Sequence, residues 1–141
     1  MSSKKFLRNV GFGLIITMFL IGIVSGVSAQ PYKTISITGK VSGPWGTVNL
    51  HISARGDQKL IKGKGVGFHI EMLAEITFTI TGEINENSIT LQGYVIQTPL
   101  NFNFLIGLPL WVYADASTGY IYQNFAMVME FEGIGIVVIN N

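Results

Sequence analysis

The residues best suited to chemistry in this chain are two histidines and one glutamate. His69 and Glu71 are two positions apart, so their side chains would share one face of a β-strand. His51 could join them if a neighbouring strand brought it alongside, and two imidazoles with a carboxylate could hold a divalent metal ion or transfer protons. We favour the simpler interpretation, solvent-facing strand residues with no shared role, and expect no metal or cofactor. An enzyme that uses His51, His69 and Glu71 is therefore the third of three functional hypotheses.

The elements that must position these residues are predicted by alternation of apolar and polar side chains, the pattern of β-strands. The clearest alternating stretches are 47–53, 66–72, 76–81, 100–106 and 121–131. Short turns rich in Gly, Pro, Asn and Asp separate the strands, and short links join antiparallel neighbours. The sequence predicts an all-β antiparallel meander of about 8–10 short strands. We favour a small up-and-down barrel, which hides every strand edge, with a two-sheet β-sandwich as the alternative.

One junction in this meander leaves two interpretations open. The apolar positions are even-numbered both in 66–72 and in 76–84, with neither Gly nor Pro between Met72 and Ile76. Either residues 73–75 form a three-residue turn, or residues 66–84 form one long, bent strand. We favour the turn, because such a strand would far exceed the usual length.

Closure into a small barrel would turn the apolar strand faces inward. The aromatic residues expected in the interior, and hence the candidate ligand-binding residues, are Phe68, Phe78, Phe102, Phe104 and Trp111. A barrel of about eight strands has room for interior side chains or for one small ligand. The leading hypothesis is therefore an exported, non-catalytic binding module for an apolar or neutral small ligand, although Phe also fills dry cores.

The opposite strand face is polar but carries few charges. Charged residues make up 12% of the chain, about half the usual quarter. Such a face, or the apolar C-terminal strand from Ile134 to Ile139, could pack against another copy of the chain. The second hypothesis is accordingly a cell-surface structural or interaction protein that forms a homo-oligomer.

The N-terminal segment has the pattern of a secretion signal. Lys4, Lys5 and Arg8 precede an uncharged run over 9–27, and the small residues Val27 and Ala29 precede Gln30. We predict that residues 1–29 form a signal helix that is removed, leaving residues 30–141 as a single domain outside the cytoplasm. Alternatively, the run over 9–27 stays uncleaved and anchors that domain to the membrane.

Charge and cysteine content exclude two further classes of protein. Three of the nine basic residues and none of the eight acidic ones precede Gln30, so residues 30–141 carry six basic and eight acidic side chains. The cluster of Lys59, Lys62 and Lys64 lacks the interleaved aromatic residues that stack on bases, so we expect no nucleic-acid partner. The chain has no Cys, and a disulfide-stabilised scaffold is therefore excluded.

Overall fold

A computed structural model describes residues 32–141 as a closed barrel of eight antiparallel strands. The strands are β1 (Lys33–Gly43), β2 (Gly46–Asp57), β3 (Leu60–His69), β4 (Ala74–Asn85), β5 (Ser88–Gln97), β6 (Pro109–Asp115), β7 (Tyr120–Phe125) and β8 (Met129–Asn140). Each strand pairs with the next in sequence, and β8 returns to pair with β1. The all-β class, the strand number and the up-and-down barrel are thus confirmed, and the sandwich is excluded. The predicted signal helix over 1–29 and the uncharged run over 9–27 lie outside the described residues.

Alternating burial along the strands explains why the barrel closes around one core. In β2 the side chains of Val48, Leu50 and Ile52 are buried, whereas Asn49 and His51 between them are exposed. The fully buried side chains are mostly aliphatic and often β-branched, the type that packs well on a pleated surface. Within residues 32–141, no helix has the length and apolar character needed to cross a membrane.

The inward face of β3 is the opposite of the predicted one. Gly65 and Gly67 are buried, and Gly65 pairs with the buried Phe78 of β4. A Cβ atom at Gly65 would lie 2.4 Å from the Phe78 ring, so the large side chain fills the space that glycine leaves. Phe68 pairs with the exposed residues Asn49 and Glu75 and therefore lies on the outer face. Its predicted place in the interior is wrong.

The junction between β3 and β4 differs from both sequence interpretations. The turn occupies residues 70–73, and β4 begins at Ala74. Inward side chains consequently change from odd numbers in β3 to even numbers in β4, as a four-residue turn requires. Leu73 ends the turn with a φ of 52°, a left-handed conformation that bulky residues rarely adopt.

Residues 100–106 do not form the predicted strand. Leu100–Leu105 is a 3₁₀ segment within the connection between β5 and β6. The Phe102 amide donates to the Pro99 carbonyl at 2.9 Å, and the Ile106 amide donates to the Asn103 carbonyl at 3.1 Å. Pro99 cannot donate to a strand ladder, so the chain leaves the sheet there despite its alternating pattern.

The barrel has two ends with different connections. We call the end that carries the loops 44–45, 70–73, 98–108 and 126–128 the open end. We call the other end, which carries the turns 58–59, 86–87 and 116–119, the closed end. Inward side chains next to the closed end, such as Ile61, Ile84 and Ile89, are fully buried.

Candidate functional site

A cavity of about 270 Å³ lies at the open end of the barrel. Its volume is just below the range of about 300–1,000 Å³ that is typical of drug-sized ligand pockets. The strands contribute Val48, Gly67, His69, Ala74, Ile76, Phe78, Gln123, Phe125, Met129 and Phe131 to its wall. The open-end loops contribute Trp45, Met72, Phe102, Phe104 and Leu105. The wall is therefore almost entirely apolar, and the space suits a small molecule.

The cavity exists because two small inward residues lie close together on neighbouring strands. Gly67 pairs with Ile76, and His69, two residues further along β3, pairs with Ala74. Ala74 and Gly67 are both buried, and both line the cavity. At Gly67 the side chain of Val48 takes up the adjacent space, since a Cβ atom there would lie 3.2 Å from its Cγ1. Phe78, also buried, forms part of the wall beyond these two residues.

Gln123 is the one polar side chain that is fully buried among residues 32–141. It lies on β7 between the buried residues Ile121 and Phe125, and its side chain lines the cavity. Within the described part of the chain, no hydrogen bond to its amide group is found. Gln123 is not among the site residues predicted from the sequence, although its spacing of two from Ile121 and Phe125 places it on their inward face.

His69 lies at the mouth of the cavity, where it connects two of the open-end loops. Its Nδ1 atom accepts a hydrogen bond from the Met72 amide at 3.1 Å, and its Nε2 atom lies 2.7 Å from the Trp45 carbonyl oxygen. A carbonyl oxygen only accepts, so in this geometry Nε2 is the donor and Nδ1 the acceptor. Both ring nitrogens are thus used to join these loops.

The carboxylate of Glu71 connects the loop 70–73 to the start of β2. Its carboxylate accepts a hydrogen bond from the Thr47 amide at 2.8 Å and lies 3.7 Å from Nδ1 of His69. The Thr47 amide is the main cause that lowers the pKa of Glu71 below its ordinary value. Gly46 permits this arrangement, because a Cβ atom there would lie 2.6 Å from Nε2 of His69 and 2.7 Å from the Glu71 carboxylate.

The three residues first considered for chemistry do not converge. His51 is exposed on the outer face of β2, where its Nδ1 atom lies 3.0 Å from the Thr38 hydroxyl oxygen. His69 is on β3 and faces inward. Within residues 32–141, no group of three His, Cys, Asp or Glu side chains could hold a metal ion. The geometry therefore gives His69 and Glu71 a part in joining loops and leaves His51 apart from them.

The five aromatic candidates for the interior divide into two groups. Phe78, Phe102 and Phe104 line the cavity, and the ring centroids of the last two are 6.3 Å apart. Phe68 and Trp111 lie on the outer face, because Trp111 pairs with Gln92 and Asn124 and separates the buried residues Leu110 and Val112. The interior position predicted for Trp111 is wrong, since its strand turns the neighbouring aliphatic residues inward instead.

Exposed apolar side chains occur in all four open-end loops, and three of them, Trp45, Met72 and Phe104, line the cavity. We call this set the rim; it consists of Trp45, Met72, Leu73, Leu100, Phe104, Ile106, Met127 and Val128. The four open-end loops contain twenty residues, of which Glu71 alone is charged. An apolar molecule that approaches this end therefore meets few hydrated charges.

Comparison of the chain with protein-family models, with curated proteins and with solved structures found no match.

Proposed function

We propose that this protein is an exported, non-catalytic β-barrel that binds a small apolar or neutral molecule in the open-end cavity. The observation that carries the proposal is the cavity itself, about 270 Å³ of space with an almost wholly apolar wall. Apolar surface transferred from water into such a wall contributes about 25 cal/mol per Å². The uncharged rim supports the same function, because it gives an apolar ligand a route to the cavity.

Export is the part of the proposal that rests on the N-terminal sequence. The basic residues, the uncharged run over 9–27 and the small residues before Gln30 together support secretion. The full chain should therefore be expressed in an exporting host and its mass measured after purification. A measured mass equal to that of residues 30–141 supports secretion, whereas an intact chain in the membrane fraction supports the anchored alternative.

Ligand binding is tested with N-phenyl-1-naphthylamine, an uncharged probe whose fluorescence rises in apolar surroundings. The exported protein should bind the probe, and Ala74→Leu should abolish binding because the larger side chain fills the cavity. Ala116→Leu is the matched control, since Ala116 lies in a turn at the closed end. Equal probe binding by the wild type and Ala74→Leu would place the probe elsewhere and overturn the proposal.

A second candidate function, self-association, is favoured by two exposed isoleucines. Ile134 and Ile136 on the outer face of β8 are 71% and 69% exposed. Both belong to the C-terminal strand whose apolar character suggested self-association. Light scattering across a concentration series tests this function. A mass that rises with concentration in the wild type but not in the double variant Ile134→Thr, Ile136→Thr would support it.

A further inference from the structure

The amide group of Gln123 has no partner of its own within the barrel. The side chain is only 4% exposed, and on the flanking strands it pairs with Val112 and Phe131, both buried and apolar. A glutamine amide offers two N–H donors and one carbonyl acceptor. Among residues 32–141, the buried side-chain polar atom without a hydrogen-bond partner is Oδ1 of Asn124. The Gln123 amide is therefore not sealed inside the core, and it can be reached from the cavity that this residue lines.

The Gln123 side chain could form a hydrogen bond with a group that occupies the cavity. The side chain lines the cavity, and the other polar side chain there, His69, already uses both ring nitrogens on Met72 and Trp45. A hydrogen-bonding group in the cavity would therefore meet one free side-chain amide in an otherwise apolar wall.

The charge of the ligand follows from the same wall. Among residues 32–141, no Lys, Arg, Asp or Glu side chain lines the cavity. An ionised ligand would lose its hydration without gaining a counter-charge, which is unfavourable in an apolar site. An uncharged hydrogen-bonding group, such as a hydroxyl, carbonyl or ether, would meet the Gln123 amide without that cost.

We propose that Gln123 determines the ligand specificity of the cavity, which takes an uncharged molecule with an apolar body and one hydrogen-bonding group directed at the Gln123 amide. This inference rests on the proposed function and names the chemical class of its ligand. Gln123 selects among ligands of similar shape, because an analogue without the polar group leaves the amide unpaired.

The test compares two probes of nearly equal shape, 2-naphthol and 2-methylnaphthalene, which differ in a hydroxyl and a methyl group. Titration calorimetry should show that the wild type binds 2-naphthol about tenfold more tightly, the factor expected for one net hydrogen bond. Gln123→Met keeps the length of the side chain but removes the amide, so it should lose this preference. It should bind 2-methylnaphthalene at least as tightly as the wild type does.

The controls separate this inference from the function on which it rests. Gln92→Met makes the same change at an exposed outer position of β5 and should keep the preference for 2-naphthol. If both probes bind but Gln123→Met keeps that preference, the inference is overturned while the proposed function stands. If neither probe binds the wild type, the inference is overturned, and the binding of N-phenyl-1-naphthylamine then decides whether the proposed function stands. Gln123→Leu provides a second apolar replacement, and the thermal unfolding midpoint of each variant verifies its fold.

Discussion

The two ends of the barrel differ in their connections and in the packing of the side chains beneath them. Turns at the closed end contain only polar or small residues, and the inward side chains beneath them, such as Ile61, Ile84 and Ile89, are buried. Loops at the open end present the rim to solvent, and Gly67 and Ala74 beneath them leave a cavity. The closed end therefore concentrates the packing that stabilises the barrel, whereas the open end sacrifices packing for a space that a ligand can occupy.

Left-handed backbone conformations occur at both ends of the barrel. Three open-end residues with side chains, Leu73, Ala126 and Met127, have left-handed φ values of 52°, 59° and 62°. At the closed end the corresponding positions are occupied by Glu86, with a φ of 57°, and by Gly119, with a φ of 80°. Left-handed residues with side chains therefore make up three of the twenty open-end loop residues and one of the eight closed-end turn residues, a similar share at both ends.

The largest expected difference in the free energy of unfolding is between a leucine-to-alanine substitution in the core and the same substitution on the rim. Leu91 in the core is 1% exposed, whereas Leu100 on the rim is 85% exposed. Leu91→Ala should lower the free energy of unfolding by about 2–5 kcal/mol because it leaves a void. Leu100→Ala should change it by no more than about 0.5 kcal/mol. Urea denaturation measures both, and similar losses would mean that the rim contributes to stability as the core does.

Enlarging a buried alanine should affect the free energy of unfolding differently at the two ends. Ala114 lies next to the closed end and is packed within the core, whereas Ala74 faces the cavity. Ala114→Leu should lower the free energy of unfolding by about 1–3 kcal/mol through overpacking. Ala74→Leu should leave it unchanged or raise it, because the added atoms enter empty space. An equal loss in both variants, measured by urea denaturation, would contradict a cavity beside Ala74.

Exchanging a glycine for a larger residue, or the reverse, at a left-handed turn position should change the free energy of unfolding in opposite directions at the two ends. Leu73→Gly relieves a left-handed leucine and should raise the free energy of unfolding by up to about 1 kcal/mol. Gly119→Ala should lower it by about 1 kcal/mol or more, because a Cβ atom there would lie 2.6 Å from the Gly135 carbonyl oxygen. Thermal and urea unfolding measure both changes. A loss of stability in Leu73→Gly would show that this side chain contributes packing that outweighs its strain.

The barrel could be predicted from the sequence because its evidence is local. Short turns and alternating residues occur within each hairpin, as in β2, and closure follows from the need to pair the edge strands. The inward face of β3 could not be predicted in this way. The usual rule places Val66 and Phe68 inward, yet the ring of Phe78 on the next strand requires glycine at position 65.

The candidate site was predicted only in part, for a related reason. Phe78 is in the interior as expected and lines the cavity. Phe102 and Phe104 also line it, but their predicted place inside the barrel is wrong, because they lie on the 98–108 loop and Phe104 is 75% exposed. Gln123 and the inward position of His69 were missed, because a polar residue in an alternating strand is normally assigned to the solvent face. Which face a residue occupies depends on the register between strands, and one sequence does not contain that information.

The smallest expected effect is a difference in acid response between the ends. At the open end, the Glu71 carboxylate accepts a hydrogen bond from the Thr47 amide. At the closed end, the Asp115 carboxylate accepts hydrogen bonds from the hydroxyl and the amide of Ser117. The hydrogen bond from the Thr47 amide lowers the pKa of Glu71 below its ordinary value of 4.5. The hydrogen bond from the Ser117 hydroxyl is the largest cause that lowers the pKa of Asp115 below its ordinary value of 3.8, and the bond from the Ser117 amide adds to it. The unfolded chain therefore binds protons more readily. Both contributions are fully present above the ordinary values and are lost as the pH falls toward the lower pKa of the folded state.

Each contribution should be small because both carboxylates are exposed to solvent. Hydrogen-exchange protection of the Thr47 and Ser117 amides, followed across this acidic range, reports the two ends separately. In the wild type, protection should fall at both amides on acidification. Glu71→Gln should remove the pH dependence at Thr47 alone, and Asp115→Asn should remove it at Ser117 alone. If either variant altered both amides, the two ends would be coupled through the barrel, and the division between a stabilising end and a binding end would fail.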